Sequence, residues 1–231
     1  MAQFGSETEL VALIGDIVGS RDLADRAGVQ DRLSTCVDGL RGALPPGAVV
    51  GGPLLTAGDE VQLLLSPAGA PAAVAAMRLL DDAVRPGRMT FGLGWGGLST
   101  PLLPDSDAVD IGRLDGPCFH AARAALEKAR DQGRWAATGG WPTADGGPIL
   151  DGLLALLGQQ RAGWTAKQTQ TVAAARGRLQ KDVAEELGVQ PSVVSERLKA
   201  AGFDACMAGE RSAELLLAQL GSAGRELGST R

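Results

Sequence analysis

Two apolar runs in the middle of the chain, residues 49–56 and 61–65, flank Gly58, Asp59 and Glu60. Gly and Asp tolerate the backbone angles of a tight turn, so this stretch predicts a β-hairpin. The hairpin lies between two helical patterns, and that restricts the fold more than any other feature. Upstream, the apolar run from Leu10 to Ile14 reads as a buried strand that ends at Gly15. Residues 23–43 then place Leu23, Val29, Leu33, Val37 and Leu40 near helical spacing. Downstream, Pro71 opens a helix running to about Val84, and "RMTFGLGWGGLS" reads as a strand broken by glycines. "GPCFHAARAALEKARDQG" follows as an Ala-rich helix with a glycine stop. The order βαββαβ, followed by a helix, is the ferredoxin-like pattern, an α+β fold. In that topology the first strand ends at the edge where the central hairpin turns. Asp16, just past strand one, would then lie beside Asp59.

Two carboxylates held together raise each other's pKa, and a hard cation such as Mg²⁺ relieves the repulsion while bridging phosphates. Each acid alone suits a loop cap or a turn, whereas the pair points to a metal-nucleotide edge. Candidate metal ligands are Asp16 and Asp59. Gly15, Gly19, Ser20 and Gly58 could let the backbone approach a phosphate.

Beyond the Gly/Pro-rich stretch 138–148, taken as the boundary between domains at 1–140 and 149–231, the strongest local motif is "QKDVAEELGVQPSVVSERLKAAGF". Val183, Ala184 and Leu187 form one inward face and Val194 and Leu198 another, with Gly188 between them. That is helix-turn-helix spacing. The second helix would present Gln190, Ser192, Ser195, Glu196 and Lys199 to DNA bases. Arg176, Arg178, Lys181 and Arg197 would be candidates for phosphate contacts. The same spacing also suits a helical hairpin that docks a protein. Residues 161–203 carry net charge +3 in a chain of −5, a modest pointer to nucleic acid. So few cations on one module imply a homodimer on DNA. "AELLLAQL", residues 213–220, offers a stripe for pairing or for the core.

Composition removes several classes. Aromatics are 3% with no Tyr, which argues against base-stacking platforms for single strands. His120 is the only histidine, so multi-histidine metal sites are excluded. Cys36, Cys118 and Cys206 lack metal-ligand spacing and read as reduced thiols of a cytoplasmic protein. No apolar run reaches 18 residues and the start is polar, so neither a membrane span nor a secretory signal is expected.

"GDIVGSR", "TAGDEVQLL", "FGLGWGGLST" and "DGPCFHAARAALEKA" occur in the order that resembles the SatD family, across residues 10 to about 203. The same blocks are similar to motifs of class III nucleotidyl cyclases and, more distantly, of GGDEF-type diguanylate cyclases. That resemblance implies two Mg²⁺ ions on Asp16 and Asp59, with the Ile17 carbonyl as a third metal ligand, Glu60 as an auxiliary acid on the metal site, and two-metal phosphoryl chemistry. It places His120 and Arg123 near the ribose and phosphates. The chain departs from those enzymes at the base-selecting positions, which hold Leu55 and Arg113, and in the three-residue spacing from His120 to Arg123. "WTAKQTQTVAAAR" is similar to the support helix of sigma-factor-type regulators. The expectation is a nucleotide- and metal-responsive transcription regulator. The alternatives are a Mg-dependent enzyme acting on a nucleoside triphosphate and a degenerate stress-response adaptor.

Overall fold

The computed structural model describes residues 9–56, 59–100 and 110–228. One sheet holds β1 (Leu10–Ile17), β2 (Val49–Leu55), β3 (Glu60–Leu65), β4 (Met89–Gly96) and β5 (Ala136–Gly139), in the order β2-β3-β1-β4-β5. Helices α1 (Arg26–Ala43) and α2 (Ala72–Ala83) connect the first four strands, and α3 (Pro117–Asp131) leads to β5. There follow α4 (Gly146–Ala162), α5 (Ala166–Ala175), α6 (Gln180–Glu186), α7 (Pro191–Ala200) and α8 (Phe203–Gly228). The first four strands pair antiparallel, in the arrangement a βαββαβ unit requires.

β1 is apolar from Leu10 to Ile14, where both of its faces are covered, and Asp16 lies inside the strand, not just past it. Val11, Leu13 and Ile17 pack into the main core with Val29, Leu33, Val37 and Leu40 of α1 and with α2. Leu10, Ala12 and Ile14 point the other way, into a smaller cluster with Cys118, Phe119, Ala122 and Leu126 of α3. Helices α1 and α2 thus lie on one face of the sheet and α3 on the other.

The glycine-broken strand explains how α3 is seated. A Cβ on Gly92 would fall 2.1 Å from the Ala122 carbonyl oxygen, and one on Gly94 would fall 2.1 Å from that of Cys118. No side chain fits there, so α3 rests on the backbone of β4.

The stretch read as a linker is part strand and part helix. β5 pairs parallel to β4, Trp141 packs against Trp95 with centroids 5.5 Å apart, and α4 starts at Gly146. Leu150, Leu154 and Leu157 of α4 belong to the same core cluster as the sheet. Ala213, Leu217 and Leu220 of α8 are buried within this chain, so the stripe at 213–220 serves the core. No helix among the described residues is long and apolar enough to cross a membrane.

Candidate functional site

Asp16 and Glu60 are direct cross-strand partners, and they share the α3 face with Ile14 and Gln62 by the period-two rule. The expected meeting of β1 and the hairpin at one edge therefore occurs. Gly58 lies outside the described residues. Glu60 is the first residue of β3 rather than part of the turn.

Two arginines from α3 reach these acids. Arg123 grips Glu60 as a fork: Nη2 donates to Oε1 at 2.8 Å, and Nη1 donates to Oε2. Gln62 Nε2 also donates to Glu60 Oε1 at 2.8 Å. Seven residues on, on the same face of the helix, Arg130 Nη2 donates to Asp16 Oδ2. The two acids respond in opposite directions. Burial raises the Asp16 carboxyl above its ordinary range, and Arg130 does not fully offset this because Asp59 and Glu60 add repulsion. Burial also pushes Glu60 up, but the hydrogen bonds from Arg123 and Gln62 outweigh it and hold Glu60 below its ordinary range.

This donor set does not fit a Mg²⁺ ion as it stands. Both oxygens of Glu60 and one of Asp16 accept from guanidinium groups. Among the described residues no three His, Cys, Asp or Glu side chains come together as a metal site. The charge compensation expected of a cation is supplied by arginine.

A cavity of about 380 Å³ opens beside the pair, with Asp16, Gly19, Arg88, Thr90, Arg130 and Arg134 in its wall. Topology explains two of these arginines, Arg88 and Arg134. β4 runs antiparallel to β1 and β5 parallel to β4, so β4 and β5 both start at the edge where β1 ends. Arg88 immediately precedes β4, and Arg134 stands two residues before β5. The sequence reading missed Arg88, Arg130 and Arg134. The signals were the two-turn spacing from Arg123 to Arg130 and the position of the other two just ahead of strands.

The remaining expected residues separate. Ile17 and Gly19 line the cavity. At Gly15 the missing Cβ makes room for the Phe91 ring, which a Cβ would meet at 2.6 Å. Ser20 begins a short 3-10 turn, Ser20–Asp22. His120 is 71% exposed, and its Nε2 lies 2.9 Å from Asp115 Oδ1; it is neither packed beside Phe119 nor part of the cavity wall.

At the other end, α5 starts with a reciprocal Thr165–Gln168 capping box. α6 ends at a turn in which Gly188 adopts φ +62° and Val189 N–H returns to the Ala184 carbonyl at 2.9 Å. α7 then buries Val194 and Leu198 and exposes Ser192, Ser195, Glu196 and Lys199, with Gln190 exposed just ahead of it. Lys181 is exposed on α6. Arg178 pairs with Glu186, and Arg197 is half-buried against Thr171 Oγ1 at 3.4 Å. Arg176 is not available to a partner, because it forms a buried pair with Glu210. The far end of α7 is tied to α4: Trp164 Nε1 donates to the Ala201 carbonyl at 2.8 Å, and Gln160 Nε2 donates to that of Gly202 at 2.7 Å.

Among known proteins, the model of the SatD family matches residues 10–217. No curated protein matches. Two solved structures of bacterial light-regulated adenylyl cyclases align over 57% of this chain. One shares 15% identity, with 75% of its own length covered, and the other 14%, with 42% covered; the TM-score is 0.43 for both.

Proposed function

We propose that this chain, which belongs to the SatD family, is a DNA-binding regulator whose sheet domain carries a site for a phosphate-bearing ligand such as a nucleotide. The observation that supports this best is α7. It is held from beneath by Val194 and Leu198, follows a tight glycine turn after α6, and turns a polar face with Gln190, Ser192, Ser195 and Lys199 to solvent. A helix so held can lie in a major groove and read base edges. Lys181 and Lys199 are the cations best placed for phosphates, with Arg178 and Arg197 already bonded within the protein. Two copies on half-sites one helical turn apart would supply the contacts that one module lacks.

The test is selection of bound duplexes from a random DNA pool, followed by fluorescence anisotropy on the enriched sequence. Lys199→Glu and Gln190→Ala each lie on the exposed face, and each should weaken binding at least tenfold without changing the melting temperature. Retention of no duplex even at about 50 mM salt, where phosphate contacts are strongest, would remove the DNA-binding reading and leave α6 and α7 as a protein-docking unit.

A further inference from the structure

We propose that the cavity beside Asp16 is a metal-independent oxyanion site, in which Arg88, Arg130 and Arg134 hold a phosphate group directly. This deepens the ligand half of the preceding reading and does not depend on its DNA half.

Charge is the first argument. Three arginines line the cavity, and Asp16 is the one acidic residue among the residues that line it. Arg88 and Arg134 make no side-chain hydrogen bond or ion pair among the described residues. Arginine without a carboxylate partner at the wall of a cavity matches the geometry of phosphate oxygens, which it can grip with two parallel N–H bonds. Arg130 gives only Nη2 to Asp16, so its Nη1 and Nε hydrogens remain for a ligand. Thr90 adds a neutral group: it is 5% exposed, lines the same cavity, and its hydroxyl has no partner among the described residues.

The second argument is the role of the acids. In a metal-phosphate site the carboxylates attract the cation and the cation attracts the phosphate. Here Glu60 is fully engaged by Arg123 and Gln62, and Asp16 is held by Arg130. The cations that face the cavity are thus part of the chain. A volume of about 380 Å³ is in the range of small-ligand sites, large enough for a phosphate with part of the molecule attached to it. Free phosphate and the phosphates of a nucleotide present the same chemistry to these arginines, and binding experiments separate them.

Isothermal titration of the full chain in EDTA would use orthophosphate, pyrophosphate, AMP, ATP and adenosine as probes, each repeated with Mg²⁺. The phosphate-bearing probes should bind in EDTA as well as in Mg²⁺, and adenosine should not bind. If orthophosphate or pyrophosphate matches the nucleotides, the ligand is a free phosphate species; if nucleotides bind at least tenfold better, the nucleoside contributes to the same site. Arg88→Gln combined with Arg134→Gln should weaken binding at least tenfold, and the melting temperature without ligand should not change because neither side chain is paired among the described residues. Asp16→Asn removes the one repelling charge and should strengthen binding severalfold. Two results would overturn the proposal: no binding by any phosphate probe, or binding that needs Mg²⁺ and is lost in Asp16→Asn. DNA anisotropy in phosphate-free buffer tests the α7 reading separately, so either half can fail alone.

Discussion

Arginine meets carboxylate at two very different places in this protein. At the sheet edge, Arg123 and Arg130 are each 43% exposed and their partners Glu60 and Asp16 each 19%. Where α4 crosses α2, Arg161 is 2% exposed and Asp81 is 1%. Arg161 Nη2 donates to Asp81 Oδ2 at 2.9 Å and to Asp82 Oδ1 at 2.6 Å. Its Nε and Nη1 have no hydrogen-bond partner among the described residues; instead Trp135 and Trp164 lie over the guanidinium at 5.1 and 5.3 Å. Burial alone would lower the Arg161 pKa, but Asp82 and Asp81 reverse that and raise it. Water decides what each arrangement can do. Exposed pairs gain little over hydration and can exchange partners. A buried charge with one set of partners cannot let go without a large penalty. The edge is suited to a ligand, and the junction joins α4 to the sheet domain. Asp81 adds to the junction by accepting from the Met89 N–H at the start of β4.

Three measurements can break or sharpen that contrast. The largest effect is expected from Arg161→Ala, which takes one of two arginine partners from the buried Asp81 and leaves it Arg85 and the Met89 N–H; urea unfolding should show a loss of about 3 kcal/mol, the lower end for breaking a buried pair. Arg161→Lys keeps a charge but loses the planar stacking on two indoles, so it should fall between the alanine variant and wild type. Arg123→Ala and Arg130→Ala should each cost less than about 1 kcal/mol by the same method, because their pairs are solvated. Equal losses at edge and junction would abolish the distinction. The smallest effect lies in the pH dependence. The folded-state pKa of Asp16 is raised, so its stabilising contribution is full below its unfolded pKa and is lost as pH rises through the folded value. Asp16→Asn should therefore become more stable than wild type as pH rises through that window. Glu60 is lowered, so its contribution is present above its unfolded pKa and disappears as pH falls through the folded value. The deficit of Glu60→Gln should close on acidification. Parallel rather than opposite pH trends would mean that the two acids share one environment.

The sequence made β1, the hairpin and α3 legible because their apolar residues are continuous or periodic. It did not reveal β5, whose four residues, AATG, carry no β-branched or aromatic side chain except Thr138. β5 owes its strand to pairing with β4, and Trp135, just before it, anchors it by accepting the Phe91 N–H and by packing edge-on to Phe91 at 6.1 Å. Glycine and proline disguised the start of α4 as a linker, although Gly146 sits where a Cβ would meet Leu220 at 2.4 Å, a packing requirement invisible to local propensity. The approach of Asp16 to the hairpin followed from topology, with Asp59 expected beside it; the register makes Glu60 its direct partner. The arginines that face them did not, because a side chain seven residues along a helix or just ahead of a strand bears no motif. Burial of Arg161 was beyond local reading altogether, since its partners stand about 80 positions away.

The two glycines beneath α3 carry a consequence for recognising such sites elsewhere. They have no functional group, yet they set the height of the helix above the sheet and therefore the reach demanded of Arg123 and Arg130. A methyl group at position 92 or 94 would leave every acid and every arginine in the sequence and still change the distance between them. A template built only from charged residues would accept a chain in which the pairs cannot close. One that also requires alternate glycines on the neighbouring strand would reject it.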